Sequence, residues 1–306
     1  MSKLGEFLKN PEYFITSPAA KGYLDWIPDE LYLKLLYRAK LKRKCDLKHP
    51  VLYNEKMQWL KLHDRKPEYA SMVDKYEVRK YITDKIGEEY LIPLYGVYDR
   101  WEDIDFDKLP DQFVVKCTHD SGSVEICTDK ATWDKEGAAE RIRLALQRKY
   151  YKAYREWPYK GVVARIIIEK YMVDESGNDL KDYKVMCFNG RAEVVEVHEN
   201  RFVKGKEHTQ TFYDRDWKVL PIVQLGLNPC TEHREKPEYM DELFRLSEQI
   251  SADMYHARID WYLLRDKIYF GEITFYDGSG FEIFENESQE RFLGDMIHLP
   301  TDDQKY

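Results

Sequence analysis

The stretch ELYLKLLYRAKL at Glu30–Leu41 sets apolar residues three and four positions apart, and NEKMQWLKLH at Asn54–His63 repeats that spacing. This is the period of one buried helix face, and it predicts a helical section from Pro11 to about Tyr81. From Tyr90 the period shortens. The runs YLIPLYGVY, QFVVKC, SVEICT, VVARIIIEKYM, DYKVMCF and AEVVEVHE are rich in β-branched and aromatic residues and are separated by Gly, Asp, Asn or Pro, so they predict sheet. A helix is expected to interrupt the strands at about Asp134–Tyr151. Another is expected at about Pro237–Tyr255, where Met240, Leu243, Phe244, Ile250 and Met254 share a face. Beyond it, ARIDWYLL and KIYFGEITF predict an antiparallel pair turning at Arg265-Asp266-Lys267. No repeat and no Gly/Ser linker divides these parts, so they are expected to pack into one body with soft internal boundaries.

Charge narrows the partners. A net charge of -8, from 48 basic and 56 acidic residues interspersed over 306, lacks the clustered Lys and Arg that grip nucleic acid, and no such partner is expected. No apolar run approaches the roughly 20 residues that cross a bilayer. The start MSKLGEFLKNPEYF lacks the order of a secretion signal, so a soluble cytoplasmic protein is expected. The basic run Arg38, Lys40, Lys42, Arg43 and Lys44 reads first as a solvated helix face and second as a peripheral contact with anionic lipid or a polyprenyl-phosphate-linked substrate. The five cysteines are scattered without a C-x-x-C pair and are expected to be reduced and mostly buried; Cys230 and His233 lack the further ligands of a zinc site.

Candidate chemistry lies in three places. If the last hairpin turns near Asp266, Asp260 faces Glu272, and two hard carboxylates converge as they do where Mg²⁺ is held beside a nucleotide. Arg258 shares their face and can reach a phosphoryl group. The same hairpin is also readable as a solvated edge with ordinary ion pairs. In FVVKCTHDSGSVEICT, Lys116 ends one strand and His119-Asp120-Ser121-Gly122-Ser123 forms a small polar turn, able to close backbone N–H groups over phosphate oxygens or to serve only as a hairpin turn. In IIIEKYMVDESGNDLKDYKVMCF an apolar strand ends at Glu169-Lys170-Tyr171-Met172, where backbone groups near Tyr171 and the Glu169 carboxylate can pair with adenine and Asp182 with ribose hydroxyls.

The order Asp74-Lys75, Lys116 with its Ser/Gly turn, the Glu169 hinge, Arg258-x-Asp260 and Glu272-x-Thr274 follows that of ATP-grasp enzymes. NEKMQWLKLHDRKP, DKYEVRKYITDKIGEEYLIPLYGVYD, FVVKCTHDSGS, DYKVMCFNG and ARIDWY…IYFGEITF resemble the TupA-like ATP-grasp family of bacterial surface-polysaccharide biosynthesis, from about Asn54 to the C-terminus. The resemblance implies an α+β ATP-grasp fold with a helical section over 1–73, a first subdomain over 74–168 and a second over 169–306. It implies ATP and Mg²⁺, with Lys75 and Lys116 on the phosphates and His119, Ser121, Gly122 and Ser123 in a lid. Glu169, Tyr171 and Asp182 would lie around adenosine, Arg258 on the transferring phosphoryl, and Asp260 and Glu272 on the metal. Thr274 stands where enzymes similar to D-alanine:D-alanine ligase carry asparagine, which leaves one or two Mg²⁺ open. Gly278, Ser279 and Gly280 occupy the place of their acceptor-side loop. The implied reaction joins the carboxylate of a sugar or amino acid to an amine through an acyl phosphate. A glycosyltransferase, suggested by Asp103-x-Asp105, Asp105-x-Asp107 and Asp214-x-Asp216, and an ATP-grasp kinase are the alternatives.

Overall fold

A computed structural model describes residues 12–173, 182–200, 205–264 and 267–300. Arg265 and Asp266 of the expected hairpin turn, and residues 174–181 after the hinge, lie outside the described residues. The helices are α1 (Tyr13–Ala20), α2 (Asp29–Leu41), α3 (Tyr53–His63), α4 (Tyr69–Val73), α5 (Val78–Lys85), α6 (Lys135–Leu146), α7 (Tyr151–Tyr154), α8 (Met240–Ser251) and α9 (Glu287–Asp295). The strands are β1 (Leu94–Tyr98), β2 (Phe113–Cys117), β3 (Val124–Cys127), β4 (Ile166–Lys170), β5 (Asp182–Phe188), β6 (Arg191–Glu199), β7 (Thr209–Asp214), β8 (His256–Leu264) and β9 (Lys267–Thr274). Contacts divide the chain into two compact units, each assembled from separated segments. Unit 1 takes residues up to Lys42, Arg65–Tyr81 and Leu91–Met172; unit 2 takes Arg43–Asp64, Ile82–Tyr90 and the remainder from Val173.

In unit 1 the strands form an antiparallel sheet in the order β1-β4-β2-β3. Alternation sends Phe113, Val115, Cys117, Ile166 and Ile168 to one face, where Ala138, Ala139, Ile142 and Ala145 of α6 cover them. Small alanines let that helix approach closely, and burying Ile142 alone contributes about 2 kcal/mol. Asp134 caps α6 by accepting from the Gly137 N–H at 3.0 Å, worth about 1 kcal/mol. The opposite face carries Val114, Lys116, Ile167 and Glu169, with the half-exposed Val124 and Ile126 beside them.

In unit 2 the sheet order is β7-β6-β5-β8-β9, again antiparallel. Met240, Leu243, Phe244, Leu246 and Ile250 bury the apolar side of α8, and Ser247 accepts the Trp261 indole N–H at 2.9 Å. Tyr183, Val185, Val195, Val197, Ile259 and Trp261 occupy that side of the sheet, which leaves alternate positions to polar residues. Helix α3 belongs to this unit. Its Asn54 amide donates to Glu290 of α9 at 2.9 Å and to the Glu282 carbonyl at 2.8 Å, and Lys56 reaches the Gly294 and Ile297 carbonyls. Strand β7, TQTFYD, is not among the runs quoted from the sequence above.

Candidate active site

Unit 1 gathers its cations around the turn after β2. Asp74, nearly inaccessible, accepts from the N–H groups of Tyr76 and Glu77 and from Arg165 at 3.1 Å, and this fixes the backbone that follows. Lys75 donates its N–H to the Thr118 carbonyl at 3.1 Å and its ammonium to the Asp120 carbonyl, so the two segments expected to meet at phosphate do lie together. Ser121 and Gly122 are exposed, and Gly122 has φ +86° with nothing near a Cβ among the described residues, which leaves room for a close-approaching ligand. The His119 side chain, by contrast, is buried. Lys116 meets Glu169 at 3.0 Å, and Arg79, which sequence reasoning missed, meets the other oxygen of Glu169 at 3.5 Å while donating to the Ile92 carbonyl at 3.0 Å. Burial lowers the Arg79 pKa against the pull of Glu169. Tyr171 is half-buried just past β4, where the Lys170 N–H bonds to the Pro93 carbonyl at 2.9 Å.

Unit 2 carries a polar row across neighbouring strands. Glu196 of β6 pairs in register with Lys184 of β5, Lys184 with Asp260 of β8, and Asp260 with Glu272 of β9. The convergence of Asp260 and Glu272 expected from the sequence is thus the observed register. Arg258, two residues earlier on the same face, pairs with Thr274 and donates to its hydroxyl at 3.3 Å. It also grips Asp260 with two bonds, at 2.7 and 2.9 Å, and bonds to the buried Asp277. Lys184 takes the remaining side of Asp260 at 2.5 Å. A bulge after Asp260 fixes its carbonyl against Gly271, where an added Cβ would sit 2.9 Å from that oxygen.

Burial by itself raises the carboxyl pKa of Asp260, but the charges of Arg258 and Lys184 outweigh it and the value falls below the usual range. Burial works the same way on Glu196, and the His198 hydrogen bond with the Arg258 charge carries it down to about 2. For Asp277 burial prevails and the pKa rises. Three buried carboxylates therefore face two cations, the buried Lys184 and the mostly covered Arg258, with the half-exposed Glu272 at the rim, 3.8 Å from Arg258. Such an excess of negative charge on oxygen donors fits a hard divalent cation, with Asp260 and Glu272 as the adjacent pair able to hold Mg²⁺. Asp182 opens β5 on the same face as Lys184.

The loop after β9 is held from α3. Gly278, Ser279 and Gly280 all have positive φ, between 51° and 65°. Gln58 donates to the Gly280 carbonyl at 2.5 Å and the fully buried Lys61 to the Ser279 carbonyl at 2.7 Å. A Cβ on Gly280 would meet Met57 at 2.6 Å, so glycine is required there on both counts. The acidic pairs that suggest glycosyl transfer are occupied locally: Asp103 by Arg100, Asp105 by Lys108 and the Asp107 N–H, Asp216 by Lys218.

A match to the TupA-like ATP-grasp description runs over residues 55–298, most of the chain and every residue of this site. The chain belongs to the TupA-like ATP-grasp family. Its two antiparallel sheets with their helices are the α+β ATP-grasp fold expected from the sequence. Solved structures resemble it at low identity. The D-alanine–D-alanine ligase of Bacillus anthracis complexed with ATP is 15% identical with a TM-score of 0.41, over 76% of this chain and 64% of that one. The D-alanyl-alanine synthetase A of Vibrio cholerae is 13% identical with a TM-score of 0.42, over 80% and 68%. The ATP-grasp ligase PsnB, complexed with a phosphomimetic variant of its minimal precursor, Mg and ADP, is 9% identical with a TM-score of 0.41, over 90% and 68%. The TupA-like chain thus spans just under two thirds of the length of the Bacillus ligase. No curated protein matches it. Among the described residues, no helix is long and apolar enough to cross a membrane.

Proposed function

We propose that this chain is an ATP-dependent carboxylate–amine ligase that forms an amide through an acyl phosphate, in the cytoplasmic stage of bacterial cell-surface polysaccharide biosynthesis. The observation that carries the reading is the row Lys184–Asp260–Glu272 with Arg258 beside it, which puts two cations and two adjacent carboxylates on one polar sheet face. Lys75, Lys116 and the Ser121–Ser123 turn bind phosphate oxygens; the half-exposed Val124 and Ile126 offer apolar surface to the base, with Tyr171 and Glu169 at the hinge and Asp182 on the ribose. Contact with phosphate requires Lys116 to exchange Glu169 for the nucleotide, a swap of one charge-assisted bond for another. Mg²⁺, when bound by Asp260 and Glu272, neutralises phosphate charge and polarises the γ-phosphorus. Arg258 and Lys184 stabilise charge on the transferring phosphoryl while a substrate carboxylate oxygen attacks phosphorus and ADP leaves. The amine then attacks the acyl carbon, inorganic phosphate departs, and the nitrogen gives its proton to solvent. Alignment and charge neutralisation supply the catalysis, and no protein nucleophile is invoked.

The carboxylate proposed first is a uronic-acid-bearing sugar, and the second an amino acid. The Gly278–Gly280 loop is assigned to the acceptor, because its carbonyls are fixed by Gln58 and Lys61 and its neighbour Asp277 is tied to Arg258. The test is chemical trapping: enzyme, Mg-ATP, the carboxylate and hydroxylamine are expected to yield a hydroxamate with ADP and phosphate, dependent on the carboxylate. A stable phosphoryl ester in its place makes the protein a kinase. Sugar transfer from a nucleotide-sugar without ATP makes it a glycosyltransferase.

A further inference from the structure

At the root of the turn after β2 lies a cluster that the reaction above does not use. Cys117 ends β2 on the face covered by α6, and His119 and Asp120 follow within three residues. Cys117 Sγ, a His119 ring nitrogen and an Asp120 carboxylate oxygen all lie within 4.8 Å of one another, and all three residues are buried. The backbone that presents them is pinned: the Thr118 N–H bonds to the Arg165 carbonyl at 2.9 Å, and the Thr118 hydroxyl to the Val163 carbonyl at 3.1 Å.

We propose that Cys117, His119 and Asp120 bind a transition-metal ion of the zinc class. The His119 ring is 5% exposed and, among the described residues, neither of its nitrogens has a well-aligned hydrogen-bond partner; the carbonyls of Ala145 and Arg148 at the end of α6 lie near enough to pull on it electrostatically. Burying an imidazole that satisfies nothing is unfavourable, and a ligand is the missing partner. One nitrogen then binds the ion while the other turns to a carbonyl, the usual outer partner of a metal-bound histidine. The Cys117 sulfur lies 4.0 Å from the Ile142 carbonyl and also meets the Ser123 hydroxyl, weak contacts that coordination can replace. Asp120 has its carboxylate oriented by the Ser123 hydroxyl on one oxygen. The other oxygen meets Arg148 at 3.4 Å, and this half-exposed side chain can swing to solvent.

Sulfur, nitrogen and oxygen donors together select zinc, cobalt or cadmium over magnesium. A tetrahedral ion with bonds of about 2.0–2.3 Å holds its ligands roughly 3.5 Å apart, so closure needs a contraction of about an ångström. Binding exchanges the thiol proton for the metal and releases it to water. Thiolate and carboxylate then balance a dication, and water takes the fourth position. Because the Asp120 carbonyl also accepts Lys75 and its carboxylate holds Ser123, the ion would clamp the turn whose exposed tip is Ser121 and Gly122.

The test uses the metal alone. Metal-free full-length protein is titrated with Co²⁺ without nucleotide, reading the thiolate-to-cobalt charge-transfer absorption. One equivalent per chain is expected to develop that band with the intense visible bands of a four-coordinate ion. Cys117→Ser should abolish the charge-transfer band, and His119→Asn should weaken binding by roughly 10- to 100-fold or more. Cys230→Ser, at the partly exposed cysteine, should change nothing. Absence of the band in the parent, its survival in Cys117→Ser or its loss in Cys230→Ser overturns the site. Should Cys117→Ser not fold, X-ray absorption on the zinc-loaded parent decides: one sulfur among nitrogen and oxygen ligands supports the site, and no sulfur, or several, refutes it.

Discussion

Replacing Glu272 by glutamine separates a metal ligand from a structural carboxylate, because its partner across the strands, Asp260, is both buried and doubly paired whereas Glu272 stands at the rim. Among the described residues the Glu272 carboxylate has one ion pair, with Arg258 at 3.8 Å, and its side chain is 41% exposed. Loss of that charge should leave unfolding without nucleotide unchanged to within about 0.5 kcal/mol. Asp260→Asn is different: it leaves Lys184 and Arg258 buried against an amide, and breaking such a pair costs about 3–5 kcal/mol. Glu196 and Asp277 remain near those cations, so the lower end, about 3 kcal/mol, is expected. Ligand then distinguishes the roles. At Mg-ATP concentrations about 100 times the parent dissociation constant, binding adds roughly 2.7 kcal/mol to stability. If Glu272 holds the metal and its loss weakens binding about 100-fold, the increment shrinks to about 0.4 kcal/mol. Urea unfolding with and without Mg-ATP measures both quantities. A Glu272→Gln protein that keeps the full 2.7 kcal/mol increment moves the metal elsewhere, and one as unstable as Asp260→Asn without nucleotide makes the carboxylate structural.

Lys116→Ala should weaken ATP binding at least tenfold by calorimetry, since a charge-assisted bond to phosphate is worth about 1.5–3 kcal/mol; unchanged affinity in a folded variant removes Lys116 from the site. Lys184→Met keeps the buried stem and deletes the charge, so turnover should fall by at least an order of magnitude while Arg258 still holds Asp260, and a variant of parental activity would confine Lys184 to a structural role. His256 bonds to Tyr53 and the Phe275 carbonyl, and burial depresses its pKa to about 4. The unfolded chain therefore takes up a proton near pH 6.5 that the folded chain refuses until about pH 4, so stability should fall by roughly 3 kcal/mol on acidification across that window, and less in His256→Gln. Gly280→Ala, strained in φ and in conflict with Met57 and Gln58, should cost about 1–3 kcal/mol in thermal unfolding, and a neutral effect would mean the loop re-forms elsewhere.

Much of the sheet was legible because strands such as QFVVKC and DYKVMCF are apolar enough to be read without partners, and the facing of Asp260 and Glu272 followed from one turn. Lys184 and Glu196 were not singled out. Each is a lone charge in an otherwise apolar run, and only register across β5, β6 and β8 shows that the charges stand in a row; the signal available was that Asp182, Lys184, Glu196 and His198 fall at alternate positions. Strand β7 escaped because TQTFYD is short and runs into the polar Asp214-Arg215-Asp216. The inward turn of His119 was equally hidden, since a histidine among Thr, Asp, Ser and Gly reads as loop. The helical section gave no hint that Arg43–Asp64 and the residues before it join different units, because the composition does not change at Lys42.

The attachment of α3 to the far end of the chain also sets a timetable for synthesis. Asn54 and Glu290 are 236 residues apart, so at about 5–20 residues per second the early helix waits roughly 12–47 s for its partner to be made. During that wait the surfaces of Tyr53, Met57 and Lys61, inaccessible in the folded structure, are open to whatever the cell offers, and unit 2 cannot complete its packing before α9 leaves the ribosome. The same connection makes removal of the first 64 residues an operation on the acceptor-side loop, whose carbonyls would lose Gln58 and Lys61. What looks in sequence like an N-terminal appendage is the last piece to be locked in place.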